Sequence, residues 1–360
     1  MCALINGAHI NWRESNMAAL DNQHTYDIDS LLFAMQQKNL VYNYDFRYFS
    51  NQTNTQPIKY NHPDGWIYSD PGNGSQISSE NNGCRIVTST EENATMSFRQ
   101  NIHEFPRWKE TLCSEHISCV AQLNVKGTGE LHFCLSDGIT YVQRTYTIQN
   151  SQELNISTEL EIAMDAKTVF VELSCSSPSV VISVKKIFAN KGYIALASLP
   201  CIVAGVIGER KQYVATEQAP AEELPLCTIP IALNSDQTRL NSVINYRFGK
   251  QGEFSLLPDF RGYFSRAWDN SAGRDKNAKQ RKMSGDSNNI GDLVGTTEPD
   301  IFKEHQHTIT FKPVNMLNPE KGSPAYGVNL AASTQTQITT EGDLETRPIN
   351  IAELFTIKWA

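Results

Sequence analysis

Between residues 39 and 195 apolar and polar positions alternate in short runs, the period-two pattern of strands that bury one face. The runs 97–102, 120–125, 131–135, 168–173 and 180–184 each alternate or are β-branched. Turn-forming stretches such as 70–75 and 126–129 fall between them. Short strands at near-regular spacing with Gly and Asn punctuation predict a β-sandwich over 39–195. Ahead of it, Ile28-Asp29-Ser30-Leu31-Leu32-Phe33-Ala34-Met35 follows Asp27 and reads as a short N-capped helix within an N-terminal segment, 1–38. Pro200, Pro220, Pro225 and Pro230 forbid a long helix over 196–240 and suit an extended neck. A last segment covers 241–360 and ends on the apolar run Ile349, Ile351, Leu354, Phe355, Ile357 and Trp359. The fold class is all-β.

Composition narrows the function classes. At 360 residues with 40% hydrophobic and 19% charged positions, the chain is folded and long enough for two or three domains. A net charge of −8 argues against wrapping nucleic acid, which needs a cationic surface. The local basic run of Arg274, Lys276, Lys279, Arg281 and Lys282 lies among Ser, Gly, Asn and Asp and reads as a solvated loop. No secretory pattern opens the chain, and its most apolar stretch, 194–207, is interrupted by Ser198 and Pro200 and is too short to span a bilayer. Eight scattered cysteines lack the close pairs of a zinc site and read as reduced, mostly buried thiols. Asp286-x-Asn288 imitates the start of a calcium loop, but the twelfth position is Thr297 where a bidentate Glu is required.

His305-Gln306-His307 is the strongest site signal. In a strand the two imidazoles share one face, yet one pair leaves most positions around a metal to water. Three copies around a threefold axis would offer six imidazoles to one octahedral ion. Zinc sites are usually tetrahedral, so such a site favours Fe(II) or a similar transition-metal ion. The spacing thus points to a homotrimer. The plain alternative is a strand with two surface histidines.

Two segments flank that pair. Upstream is Leu257-Pro258-Asp259-Phe260-Arg261-Gly262-Tyr263-Phe264-Ser265-Arg266-Ala267, and at the end Glu345-Thr346-Arg347-Pro348-Ile349-Asn350. In this order the three resemble the collar-and-tip region of contractile-phage tail fibres. Phe260 stands where Leu is usual there, and Ala267 where Gly is usual. The resemblance covers about the last third of the chain. It implies an intertwined trimeric β-rich tip, a baseplate or other tail protein as partner through the N-terminal segment, and a place in the virion tail of a phage or phage-like injection particle assembled in bacterial cytoplasm. The sandwich itself, from Asn39-Leu40-Val41-Tyr42 through Pro63-Asp64-Gly65-Trp66 to Ile187-Phe188-Ala189-Asn190, is similar to jelly rolls of the carbohydrate-binding-module type.

That combination implies a receptor-binding fibre whose partner is a bacterial surface glycan, lipopolysaccharide or capsule. Sugar recognition by stacking needs exposed aromatics with polar neighbours. The candidates are Trp66, Tyr68 and Trp108 in the sandwich, with Tyr42, Tyr44 and Tyr48 beside them, and Tyr263, Trp268 and Tyr326 in the tip. Aromatics of β-domains are more often core, and Phe260 and Phe264 read as core. No Gly-x-Ser-x-Gly elbow, His-Glu-x-x-His helix or Walker-type loop is present, so the expectation is a protein without enzyme activity. The rival readings are a tailspike-like glycan depolymerase and a purely structural collar or baseplate connector.

Overall fold

The computed structural model describes residues 28–51, 62–72, 74–81, 83–92, 95–284, 288–299 and 350–360. Helix α1 (Ile28–Met35) precedes strands β1 (Ile67–Ser69), β2 (Gln76–Glu80), β3 (Gly83–Val87) and β4 (Met96–Asn101). A short helix α2 (Trp108–Leu112) leads into β5 (His116–Ser136), β6 (Tyr141–Glu161), β7 (Phe170–Cys175) and β8 (Val181–Lys191). These strands form a curled β-sandwich of the jelly-roll kind, and the all-β reading holds.

One strand belongs to both layers. The first half of β5 pairs with β8, from Ile117↔Lys191 to Lys126↔Val181, and its last residues pair with β7, from His132↔Ser174 to Ser136↔Phe170. Along its other edge β6 accompanies it over its whole length. One layer therefore runs β2-β3-β8-β5 and the other β1-β4-β7-β5. The expected turn at 126–129 is instead the bend inside β5. Buried odd-numbered positions, Ile117 through Val125 and then Leu131 through Leu135, continue in phase across it. At the bend those inward positions are Gly127 (φ 130°) and Gly129 (φ 154°), where a Cβ would lie 3.2 Å from Val180 Cα and 2.2 Å from Ser177 Cβ. Glycine is required by space and by backbone angle together.

β6 bends with it. The Tyr146 hydroxyl donates to Ser157 O at 2.6 Å and accepts from Ser157 N–H at 2.9 Å, closing the strand's own edge across eleven residues. That occupies backbone groups which would otherwise template pairing with another chain. Between the layers the Trp66 ring stacks on Phe98 at 4.4 Å, with Phe46 at 5.4 Å from Trp66.

The segment read as an extended neck folds back instead. Residue 201 bridges to 39 in parallel. Leu196 and Leu199 bury with Ala34 of α1, and Ala195 and Ala197 cover Val120 and Phe188 on the outer side of the β5–β8 layer. Further on, β9 (Arg210–Tyr213) and β10 (Glu223–Pro225) flank the C-terminal strand, and helix α3 (Thr238–Ile244) closes a second core. Two small hairpins follow α3, β11 (Lys250–Gln251) with β12 (Phe254–Ser255) and β13 (Lys282–Met283) with β14 (Thr296–Thr297). The C-terminal strand is β15 (Leu354–Lys358). It supplies Ile357 to the second core, with Phe355 and Trp359 packed against it. The apolar C terminus is thus covered by its own chain, whereas Ile351 is exposed.

A buried polar cluster ties α3 to the sandwich. Glu104 follows β4 and accepts from Thr238 N at 2.9 Å and Arg239 N at 2.9 Å, so its carboxylate caps the helix, and the Thr238 hydroxyl adds a short bond. Arg239 is fully buried and donates to the carbonyls of Glu104 (3.3 Å) and Leu40 (3.1 Å). Burial pulls its guanidinium below the usual value and the charge of Glu104 opposes this. Replacing Glu104 with Ala strands the Arg239 cation and uncaps α3, an expected loss of about 3–5 kcal/mol. Chemical denaturation of the full chain checks this against Glu110→Ala, whose exposed partner is Arg107.

Candidate functional site

The same alternation that buries one side of β4, β7, β5 and β6 turns a polar set outward. On β4, half-buried Ser97 and Arg99 alternate with buried Met96, Phe98 and Gln100, Asn101 on their side is buried as well, and Gln100 is held by bonds to Tyr42 N (2.8 Å) and Tyr42 O (2.9 Å). Register aligns the outward residues in rows across the layer. Arg99, Glu172, Cys134 and Gln143 form one row, and Asn101, Phe170, Ser136 and Tyr141 the next. A third contains Ser97, Ser174, His132 and Thr145.

These side chains hold one another. The Arg99 guanidinium lies 3.5 Å from the centroid of the Phe170 ring and donates from Nη2 to Asn101 Oδ1 at 3.2 Å. Its Nε is buried and has no acceptor among the described residues. His132 Nδ1 stands 3.0 Å from Thr145 Oγ1 and 3.3 Å from Gln143 Nε2. The Tyr141 hydroxyl donates to Gln143 Oε1 at 3.1 Å while its ring stays 52% exposed. Burial raises the Glu172 carboxyl, and Arg99 pulls it back down. Burial likewise depresses Arg99 and pushes the Cys134 thiol up to about 12. The face thus offers an exposed aromatic ring, a half-buried cation and carboxylate in one row, and several neutral hydrogen-bonding groups on strands.

The residues singled out by sequence are distributed differently. Trp66 is fully buried between Phe46 and Phe98, so it is core and no stacking platform. Tyr42 is core too. Tyr68 faces inward opposite Phe98, and burial pushes its phenol up to about 12. Trp108 opens α2 half-buried, its ring edge-on to His103 at 4.8 Å. Tyr263 and Trp268 are exposed, and Trp268 Nε1 donates to Asp292 O at 3.0 Å. Phe260 packs against the second core as expected, but Phe264 is exposed. His305, His307 and Tyr326 lie outside the described residues. Among the described residues no group of three or more His, Cys, Asp or Glu side chains is placed to hold a metal, no disulfide forms, and no helix is long and apolar enough to cross a membrane.

No family model matches the chain. Protein RhiB of Rhizobium leguminosarum bv. viciae is 23% identical over 167 residues, covering 45% of this chain and 76% of its own length. Among solved structures, TmCBM61 in complex with beta-1,4-galactotriose aligns with a TM-score of 0.29 at 9% identity, over 42% of this chain and 97% of its own. The enzymatically active domain of Bacteriophage CBA120 tailspike protein 4 gives 0.30 at 11%, over 42% of this chain and 21% of its own. A carbohydrate binding module of family 29 gives 0.28 at 11%, over 44% and 89%.

The balance at Glu172 can be read directly. Arg99→Ala removes the charge that holds the carboxyl down while its burial remains, so the Glu172 pKa should rise further, a direction that carboxyl-carbon NMR titration measures. An unchanged value would mean that Arg99 exerts no field there.

Proposed function

We propose that this chain is a receptor-binding tail-fibre protein whose sandwich binds a bacterial surface glycan, lipopolysaccharide or capsule, through the outer face built by Arg99, Phe170, Glu172, His132 and Tyr141. The carrying observation is that face itself. An exposed tyrosine ring beside charge-assisted and neutral hydrogen-bonding groups, all fixed on strands, suits the apolar face and hydroxyl rim of a sugar ring. The rest of the reading is supported by the sequence segments at 257–267, 305–307 and 345–350. It comprises a homotrimer, a tip metal held by His305 and His307, attachment to a baseplate or other tail protein through the N-terminal segment, and residence in a virion tail.

Binding without cleavage is favoured by the distribution of carboxylates. The three rows hold one, Glu172. Glu130 projects from the same side of β5, four residues from Cys134, which at strand rise is about 13 Å along the sheet. Glycoside hydrolysis pairs its carboxyl groups at roughly 5–9.5 Å. A reducing-sugar assay on host polysaccharide distinguishes the depolymerase alternative, since sustained release of oligosaccharide would establish it. A connector role would show as retained binding to tail particles without binding to susceptible cells.

Tyr141→Ala should weaken binding of purified host polysaccharide at least tenfold, about 1.4 kcal/mol, and leave the melting temperature unchanged because the ring is exposed. Equal affinity of the two proteins would remove this face from the binding reaction.

The metal is tested by elemental analysis. Ion binding by one His pair from each chain would be assembly energy, so about one transition-metal ion per three chains is expected in the wild type. The paired change of His305 and His307 to Ala should abolish it and lower the melting temperature of the assembly. A metal-free wild type that remains a stable trimer would leave the histidines as ordinary strand residues.

A further inference from the structure

We propose that Tyr193 is a second sugar-stacking platform, on the layer opposite the Tyr141 face, suited to a neutral or amine-bearing pyranose; this rests on the glycan-binding reading above. Tyr193 leaves β8 at the start of the segment that crosses the outer side of the β5–β8 layer. Its backbone is pinned on both sides. Gly192 N–H donates to His116 O at 2.7 Å, and the Ser118 hydroxyl donates to Gly192 O at 2.7 Å. Fully buried Asn190 donates from Nδ2 to the carbonyls of Lys191 and Ile194, both at 2.8 Å, and accepts from Leu196 N–H at 2.9 Å. Gly192 has φ 100°, a conformation that costs a residue with a side chain.

The ring is fixed as well as its backbone. It stacks on the His116 imidazole with centroids 4.1 Å apart and planes 29° from parallel. His116 Nε2 is in turn held 3.2 Å from Glu159 Oε2. Despite that support the ring is 54% exposed. Packing alone would account for the face against His116, but leaves the outer face wetted at a hydrophobic cost. A rigid aromatic with one face supported and the other open binds a sugar ring with little loss of conformational entropy.

Surrounding charge selects the ligand. Glu161 is exposed and lies directly opposite His116 in the β5–β6 register, Glu159 is one step along β6 on the same side, and Glu115 pairs with Lys191 at 3.1 Å. Carboxylates accept hydrogen bonds from hydroxyl or ammonium groups and repel an acidic sugar. The Tyr141 face instead carries one cation and one carboxylate, Arg99 and Glu172, in a single row. Tyr141 opens β6 and Glu161 ends it, so the two platforms sit at opposite ends of one strand, on different layers. They would engage separate sugar units, and a repeating surface glycan would gain avidity that a monosaccharide cannot.

The test uses the full chain on immobilised neutral galactan, chitosan oligomers and polygalacturonate, measured by surface plasmon resonance. Tyr193→Ala should weaken binding to galactan and chitosan oligomers at least fivefold at unchanged melting temperature, with Tyr193→Phe close to wild type. Glu161→Lys, an exposed change outside the stack, should weaken chitosan-oligomer binding more than galactan binding, and Glu110→Lys should do neither. If Tyr193→Ala and Glu161→Lys both bind like the wild type while Tyr141→Ala loses affinity, the second platform is overturned and the first stands. Loss in Tyr193→Ala with none in Tyr141→Ala supports the second platform and removes the first. A wild type that binds none of the three probes and no host polysaccharide overturns both.

Discussion

The passage of β5 through both layers is the constraint on which the rest of the molecule depends. A strand that pairs first with β8 and then with β7 fixes the spacing and relative rotation of the layers without any loop between them. It can do so because Gly127 and Gly129 occupy the inward positions at the bend, where the β7–β8 connection comes close enough to exclude a Cβ. Inward residues on either side then stay in phase, and both halves bury their odd-numbered positions in one core. The outward rows inherit that order, which is why Arg99 and Glu172 share one row and His132 falls in the neighbouring one.

The sandwich and the following residues are joined by buried charge as well as by apolar contact. Glu104 caps α3 and offsets Arg239, which reaches back to the Leu40 carbonyl. A cation buried this completely needs acceptors and a nearby countercharge; Nη1 and Nη2 of Arg239 are bonded, and Nε has no acceptor among the described residues. The cluster therefore specifies one docking of α3 on the sandwich. The Pro-rich stretch between them is held at many points: Leu196, Ala197 and Leu199 pack on the sandwich side and Val203, Ile207, Leu226 and Leu233 in the second core, while Val214 and Ile229 are exposed.

The two tyrosines proposed as platforms are held by different means. Tyr141 is steadied by polar neighbours in its own sheet, Gln143 and Cys134, and Tyr193 by a stacked imidazole and a pinned turn. Neither is carried by the residues that composition would favour, since the tryptophan of the sandwich core, Trp66, is spent on packing. Large aromatics in a two-layer β-fold have the most area to bury, so the core claims them first.

Local pattern was enough to place helix α1, the strands around 97–101, 170–173 and 181–184, and the all-β class, because side-chain alternation is set by backbone geometry over a few residues. It was also enough to assign Phe260 to a core but not Phe264, which is exposed. Pattern alone divided β5 at its glycines, since Lys-Gly-Thr-Gly satisfies a turn and a bend equally, and the difference lies in Val180 and Ser177, about fifty residues on. β6 was not foreseen although Val142, Tyr146, Ile148, Leu154, Ile156 and Leu160 alternate toward the core, because Arg144, Asn150 and Gln152 interrupt the apolar series on that side. The outward rows could not be seen for another reason: each takes one residue from each strand, and cross-strand register is decided only when the layers pack. Whether an aromatic ring serves the core or the surface, as with Trp66 against Tyr141 and Tyr193, is settled by long-range contacts that no local stretch of sequence contains.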